Sequence, residues 1–236
     1  MKTLLVINSS GRVTRSITRH LTTRFADGWI SRHPGGELRI RDVGTSPPPP
    51  VSEGWIAAAF AAPTDRTPAM REALALSDAM IEELIAADAI VLGAPMYNFG
   101  MPAQLKAYVD QVVRIGRTFD FDATADNPYR PLLASKPVIA ILSAGDGSLH
   151  IGGALAHLNF LEPHLQTILG FIGLADVTFV RAGYDEYQDD RAKRSLVAAE
   201  SAIDDLFLPL FQVPPHKSEP DPNPAKPGEV GAALLV

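Results

Sequence analysis

A chain of 236 residues, 46% hydrophobic and 20% charged, can bury one α/β core, needs no second domain, and is too apolar for wholesale disorder. A net charge of −6 with no long Lys/Arg run argues against a nucleic-acid surface. The lack of cysteine removes disulfides, thiolate metal sites and thiol nucleophiles in one step.

The predicted elements alternate. Leu4–Ile7 is a short β-branched and leucine run that suits a first strand and is too short for a signal peptide. A helix follows from about Ser16, with Ile17, Leu21, Phe25 and Trp29 on one stripe. Residues 37–41 alternate polar and apolar, as an edge strand does. Pro47–Pro50 is stiff and extended, and Trp55–Phe60 is a short helix. This 42–67 insertion is expected to cover the sheet edge or a neighbouring subunit and, with the 120–131 loop, to wall a pocket. Met70, Leu74, Ile81, Leu84 and Ile85 mark the next helix and lead into the buried strand 89–93. Pro102 fits a first helical position, with Leu105, Tyr108, Val109 and Val112 as the stripe behind it. Then come a strand at 138–142, a helix from near Pro163 to a terminating Gly173, a strand at 177–180 and a helix carrying Leu196, Ile203, Leu206 and Phe207. Residues 1–208 read as one domain and 209–236 as a proline-rich tail with an apolar end. No run approaches the ~18 apolar residues of a membrane span, so a cytoplasmic protein is expected.

Five strands interleaved with helices imply a mostly parallel, doubly wound sheet covered on both faces, with the strand order open on composition alone. Ligands in such sheets bind beyond the carboxyl ends of the strands, so the loops after the strands are the candidates for chemistry. The first, Asn8–Thr18, brings hydroxyls, Arg12 and Arg15 to a helix N-terminus, which is a ready anion site. It has neither G-x-G-x-x-G nor a P-loop, so a terminal phosphate suits it better than a pyrophosphate or triphosphate. Ser16 also reads as the cap of that helix. The second loop, Met96-Tyr97-Asn98-Phe99, combines flat apolar surface with an amide, and an asparagine between aromatics gains nothing from burial. The third, Ser143-Ala144-Gly145-Asp146-Gly147, is a tight turn followed by His150, a candidate proton donor.

These three motifs resemble those of the FMN-dependent NADH:azoreductases, within the flavodoxin-like quinone reductases. The resemblance runs from residue 1 to about 207. It implies the flavodoxin-like order 2-1-3-4-5 and a tightly bound FMN. Ser10, Ser16, Ile17 and Thr18 match the residues holding its phosphate; Met96, Tyr97, Asn98 and Phe99 match the flavin-contacting loop. Ser143, Ala144 and Gly145 match a Ser-x-Gly-Gly turn in which Asp146 replaces the second glycine. Asp146 is therefore expected to face solvent or cap a turn, and Gly147 to make the close approach. His150 falls where relatives often place a histidine near the active site, Phe121 matches an aromatic that in relatives lines the substrate side, often from the other subunit, and Phe171 is pocket wall or packing. The implied activity is two-electron reduction of quinones or azo compounds by NADH or NADPH, in a homodimer. A flavodoxin-like electron carrier or a flavin-binding regulatory protein is the alternative.

Overall fold

Three of the five main strands are continuous apolar runs, as expected of strands covered on both faces. In the computed structural model, which describes residues 1–208, β1 (Thr3–Asn8), β2 (Glu37–Asp42), β3 (Ala89–Pro95), β6 (Val138–Ser143) and β7 (Val177–Ala182) form a parallel sheet of order β2-β1-β3-β6-β7. Between them lie α1 (Ile17–Arg32), α2 (Glu53–Phe60), α3 (Pro68–Ala86), α4 (Ala103–Val112) and α5 (Leu161–Ile172), and α6 (Asp190–Asp205) follows β7. Counted along the chain, the five strands have the order 2-1-3-4-5 that the resemblance implied. A small antiparallel hairpin, β4 (Phe119–Phe121) with β5 (Tyr129–Pro131), occupies the loop region after α4.

Alternate side chains of each strand feed two separate cores. Leu5, Ile7, Ile90, Leu92, Ala140 and Leu142 pack beneath α3, α4 and α5, while Leu4, Val6, Val91, Ile139 and Ile141 pack beneath α1 and α6. The register pairs Asn8 with Gly93, Pro95 with Ser143, and Ser143 with Ala182. Four strands thus end side by side, and the loops after them share one edge of the sheet.

Helix ends follow local chemistry. The side chains of Ser16, Ser52, Thr67 and Asp189 each accept a backbone N–H in the first turn of their helix. Gly173 ends α5 at φ +103°, a left-handed conformation that costs only glycine little. The C-terminus of α3 is closed from outside: Lys136 Nζ donates to the carbonyls of Leu84 (2.7 Å), Ile85 (3.0 Å) and Ala87 (2.6 Å).

Several expectations shift. Pro102 precedes α4 as its extended cap residue, so the helix starts one position later. Helix α5 begins at Leu161, two residues before Pro163. Ile85 lies off the buried stripe, and Leu206 and Phe207 follow α6 instead of closing it. Phe207 still packs, against Phe25 at 4.9 Å between ring centroids. The 42–67 insertion has the expected extended piece and helix, and none of its residues lines the cleft described below. Trp55, Ala58 and Ala59 of α2 form a third small core with Leu74 on the outer side of α3. The tail 209–236 lies outside the described residues. Among those residues, no helix is long and apolar enough to cross a membrane.

Candidate functional site

The shared edge holds a solvent-open cleft walled by four loops. Ser10, Arg12, Arg15, Ser16 and Ile17 form the first wall. Ser9 fastens its base, since its Oγ donates to Gly93 O at 2.8 Å. Ser10 Oγ accepts from Arg12 N (3.2 Å), and Ser16 Oγ accepts from Arg19 N (3.3 Å) while lying 3.2 Å from Thr18 Oγ1. The backbone N–H groups of Ile17 and Thr18, at the start of α1, meet no acceptor among the described residues. Unaccepted amides, two hydroxyls and the positive end of a helix dipole make this wall suited to an anion. Of the three nearby arginines, Arg19 is spent on structure. It grips Asp42 through two 2.7 Å bonds, which hold that carboxyl below the usual carboxylate range, and donates to Ser10 O. Arg12 and Arg15 face the cleft instead.

Pro95, Met96 and Tyr97 form the second wall. Met96 N donates to Ser143 O at 2.7 Å, which locks this wall to the third. Tyr97 and Gly100 exchange backbone bonds of 3.0 Å around Asn98 (φ +48°) and Phe99 (φ +68°), a type I′ turn. Asparagine enters that region at small cost, but phenylalanine is strained there by roughly 1–2 kcal/mol. The turn separates the four expected residues: Met96 and Tyr97 line the cleft, whereas Asn98 and Phe99 project to solvent at its rim.

Ser143, Ala144 and Gly145 form the third wall. Asp146 caps a turn, as expected, accepting from Ser148 N and from the Tyr187 hydroxyl, each at 2.8 Å. Those bonds, the Ser148 amide first, hold its carboxyl below the usual range. Gly147 does not line the cleft. A Cβ there would run into the Tyr184 ring, so its close approach is to the protein's own chain.

His150 and two phenylalanines lie elsewhere. His150 Nε2 donates to Ala182 O at 2.8 Å beneath the loop, and Nδ1 is buried without a partner. Burial pushes its pKa down, so the ring is neutral near pH 7 and its single N–H is committed. That geometry removes it as the expected donor to a bound substrate. Phe121 and Phe171 belong to an aromatic cluster with Phe119 and Tyr129, at centroid separations of 4.8–5.4 Å, and neither lines the cleft. Phe171 packs on the core beneath α5.

The fourth wall was missed. Asp185 and Glu186, in the loop after β7, line the cleft, and a Cβ at Gly145 would meet the Glu186 carboxylate. The same rule that selected the other three loops, position at a strand's carboxyl end, was enough to find it.

Comparison with known proteins agrees with this fold. A family model described as the flavodoxin-like fold matches residues 2–206. An "FMN-dependent NADH:quinone oxidoreductase" of Opitutus terrae is 58% identical over 211 residues, 89% of this chain and 98% of that protein. Another, from Trichormus variabilis, is 44% identical over 203 residues, 86% of this chain and 97% of the relative. Among solved structures, an azoreductase from Bacillus anthracis str. Sterne superposes with a TM-score of 0.77 at 21% identity, covering 88% of this chain and 99% of that one. An FMN-dependent NADH-azoreductase of Bacillus anthracis str. Ames Ancestor, solved in complex with FMN, gives 0.74 at 17% identity, with 87% and 99% covered; these two likenesses speak to the fold. The chain belongs to the flavodoxin-like family and, within it, to the FMN-dependent NADH:quinone oxidoreductases.

Proposed function

We propose that this chain is an FMN-dependent NAD(P)H oxidoreductase that reduces quinones and azo compounds by two electrons. The observation carrying the reading is the anion cradle at the start of α1, set across one cleft from the Met96–Tyr97 wall. Its chemistry fits a phosphate monoester joined to a flat ring: unaccepted amides and hydroxyls for the charge, a thioether and a phenol ring for the plane. The names of the relatives support the same assignment.

In this reading, Ser16, Thr18 and the amides of Ile17 and Thr18 hold the phosphate, with Arg15 balancing its charge. Ser10 sits beside them. Met96 and Tyr97 supply the platform, and the Ser143–Gly145 backbone closes the opposite side. Tyr97 is itself fixed, because its hydroxyl accepts from Gly11 N at 3.3 Å. Asn98 and Phe99 form the rim. When bound, the flavin supplies hydride chemistry between nicotinamide and acceptor. The protein's part is orientation and an apolar surface, and a neutral His150 adds no charge. One cleft serving donor and acceptor in turn gives ping-pong kinetics.

The homodimer belongs to this proposal and is supported by exposed aromatics near the cleft rim: Phe99 is 47% exposed and Phe160 62%, and Phe160 N donates to Phe99 O at 2.9 Å. So do a cytoplasmic location and the division into a domain of residues 1–208 and a tail of 209–236. The test is direct. The purified full-length chain should be yellow or take up FMN, and rapid mixing with NADH should bleach it before a quinone restores the colour. A colourless chain that ignores excess FMN overturns the reading, and bound flavin indifferent to NADH leaves an electron carrier.

A further inference from the structure

The fourth wall carries two carboxylates that the proposed activity leaves without a task. Its loop is anchored on one side. Gly183 N donates to Ser195 Oγ (2.8 Å), Glu186 N to Gly145 O (3.2 Å), and the Tyr187 hydroxyl to Asp146. On the other side Asp185 reaches across to the first wall, where its Oδ2 lies 3.1 Å from Arg12 Nη1. The Arg12 backbone is held on both sides of its Cα: its N–H donates to Ser10 Oγ, and its carbonyl accepts from Arg19 Nε at 2.9 Å. Both side chains are well exposed, at 65% and 45%, so water screens the pair and it is weak.

A carboxylate that borders an anion site and already holds one of that site's guanidinium groups competes with the ligand. We infer that Asp185 tunes the affinity of the cleft for the charged end of its ligand: it is an in-chain counter-ion on Arg12 that a phosphate must displace, and it holds FMN binding below what the cradle alone would give. The argument rests on the FMN reading and goes beyond it. A phosphate dianion gains from the α1 amides, the hydroxyls, Arg15 and Arg12 together, which outweighs one screened carboxylate. Neutralising Asp185 removes both the competition and the like-charge repulsion, and both changes act only on the charged end of the ligand.

FMN and riboflavin differ by that end alone, so they separate the possibilities. Full-length protein freed of flavin is titrated with each, following quenching of flavin fluorescence, in wild type, Asp185→Asn, Arg12→Gln and the double variant. Asp185→Asn should tighten FMN about three- to fivefold, the scale of one exposed charge interaction, and leave riboflavin within about twofold. In the Arg12→Gln background the same change should lose most of its effect on FMN. Unchanged or weaker FMN binding in Asp185→Asn overturns the inference. So does an equal gain for riboflavin, or a gain that persists in full without Arg12. A wild-type chain that binds neither flavin sinks the functional reading itself, and the inference with it.

Discussion

Ser16 Oγ serves two structures with one atom, because it caps α1 through Arg19 N and borders the cleft beside Thr18 Oγ1. Ser16→Ala with Thr18→Val should weaken FMN by about 1–3 kcal/mol through phosphate donors left unmet. The lost cap should separately cost about 1 kcal/mol of stability. Isothermal titration and thermal melting read the two effects apart, and riboflavin affinity should hardly move. Phe99 makes the opposite case. Phe99→Gly relieves a left-handed phenylalanine and should gain about 1 kcal/mol in unfolding free energy. Yet it removes an aromatic from the rim, so turnover should fall while the melting temperature rises. His150 gives a pH signature with a definite sign. Its native pKa lies below the ordinary 6.5, so between those values the unfolded chain binds a proton that the native ring refuses. Stability is complete above 6.5 and declines as pH falls below it. His150→Gln, which can still donate to Ala182 O, should flatten that decline in melts at stepped pH. At this scale, what is legible depends on whether a residue's partner lies nearby in the chain. Asp146 was legible as a turn cap because carboxylates accept local amides wherever a turn follows. Gly147 was misjudged because the ring that crowds it, Tyr184, comes from a distant loop and leaves no local trace.

Elements fared better than their ends. The strands at 4–7, 89–93 and 138–142 are short apolar runs rich in Ile, Val and Leu and buried on both faces, so they could be found without structure. The hairpin of β4 and β5 could not: three-residue strands holding Asp120 and Arg130 have no period to detect. Nor could the burial partner of α2 be read, since Trp55 advertises that it will be buried but not against what. Its packing on α3, away from the cleft, leads to a separable effect. Trp55→Ala should cost about 3 kcal/mol, toward the lower end for a large-to-small change at a peripheral core, and leave FMN affinity unchanged. A matching loss of flavin binding would mean that α2 supports the cleft after all. Gly173 was placed correctly because a helix that stops at glycine after apolar residues is a strong local signal.

For the whole molecule, the legible part was the alternation of strand and helix. The strand order came from the family resemblance, and the register that lines up four loops came from the structure alone. The family model ends at residue 206, and the Opitutus terrae protein is matched almost completely by 211 residues of this chain. A chain truncated after Leu208 should therefore fold, retain FMN and keep its mass in solution, as light scattering and absorbance would report; loss of any of these would give residues 209–236 a structural role.

Lys136 has a further use for anyone following breathing motions in this sheet. Its ammonium group is occupied by three carbonyls at the end of α3, so an acylating reagent must wait until that turn frays. Mass-spectrometric labelling should find Lys136 modified far more slowly than Lys193, whose amine stands on an open helix face with 78% of its side chain exposed. The ratio of the two rates then measures how often the last turn of α3 opens, with no probe added to the protein.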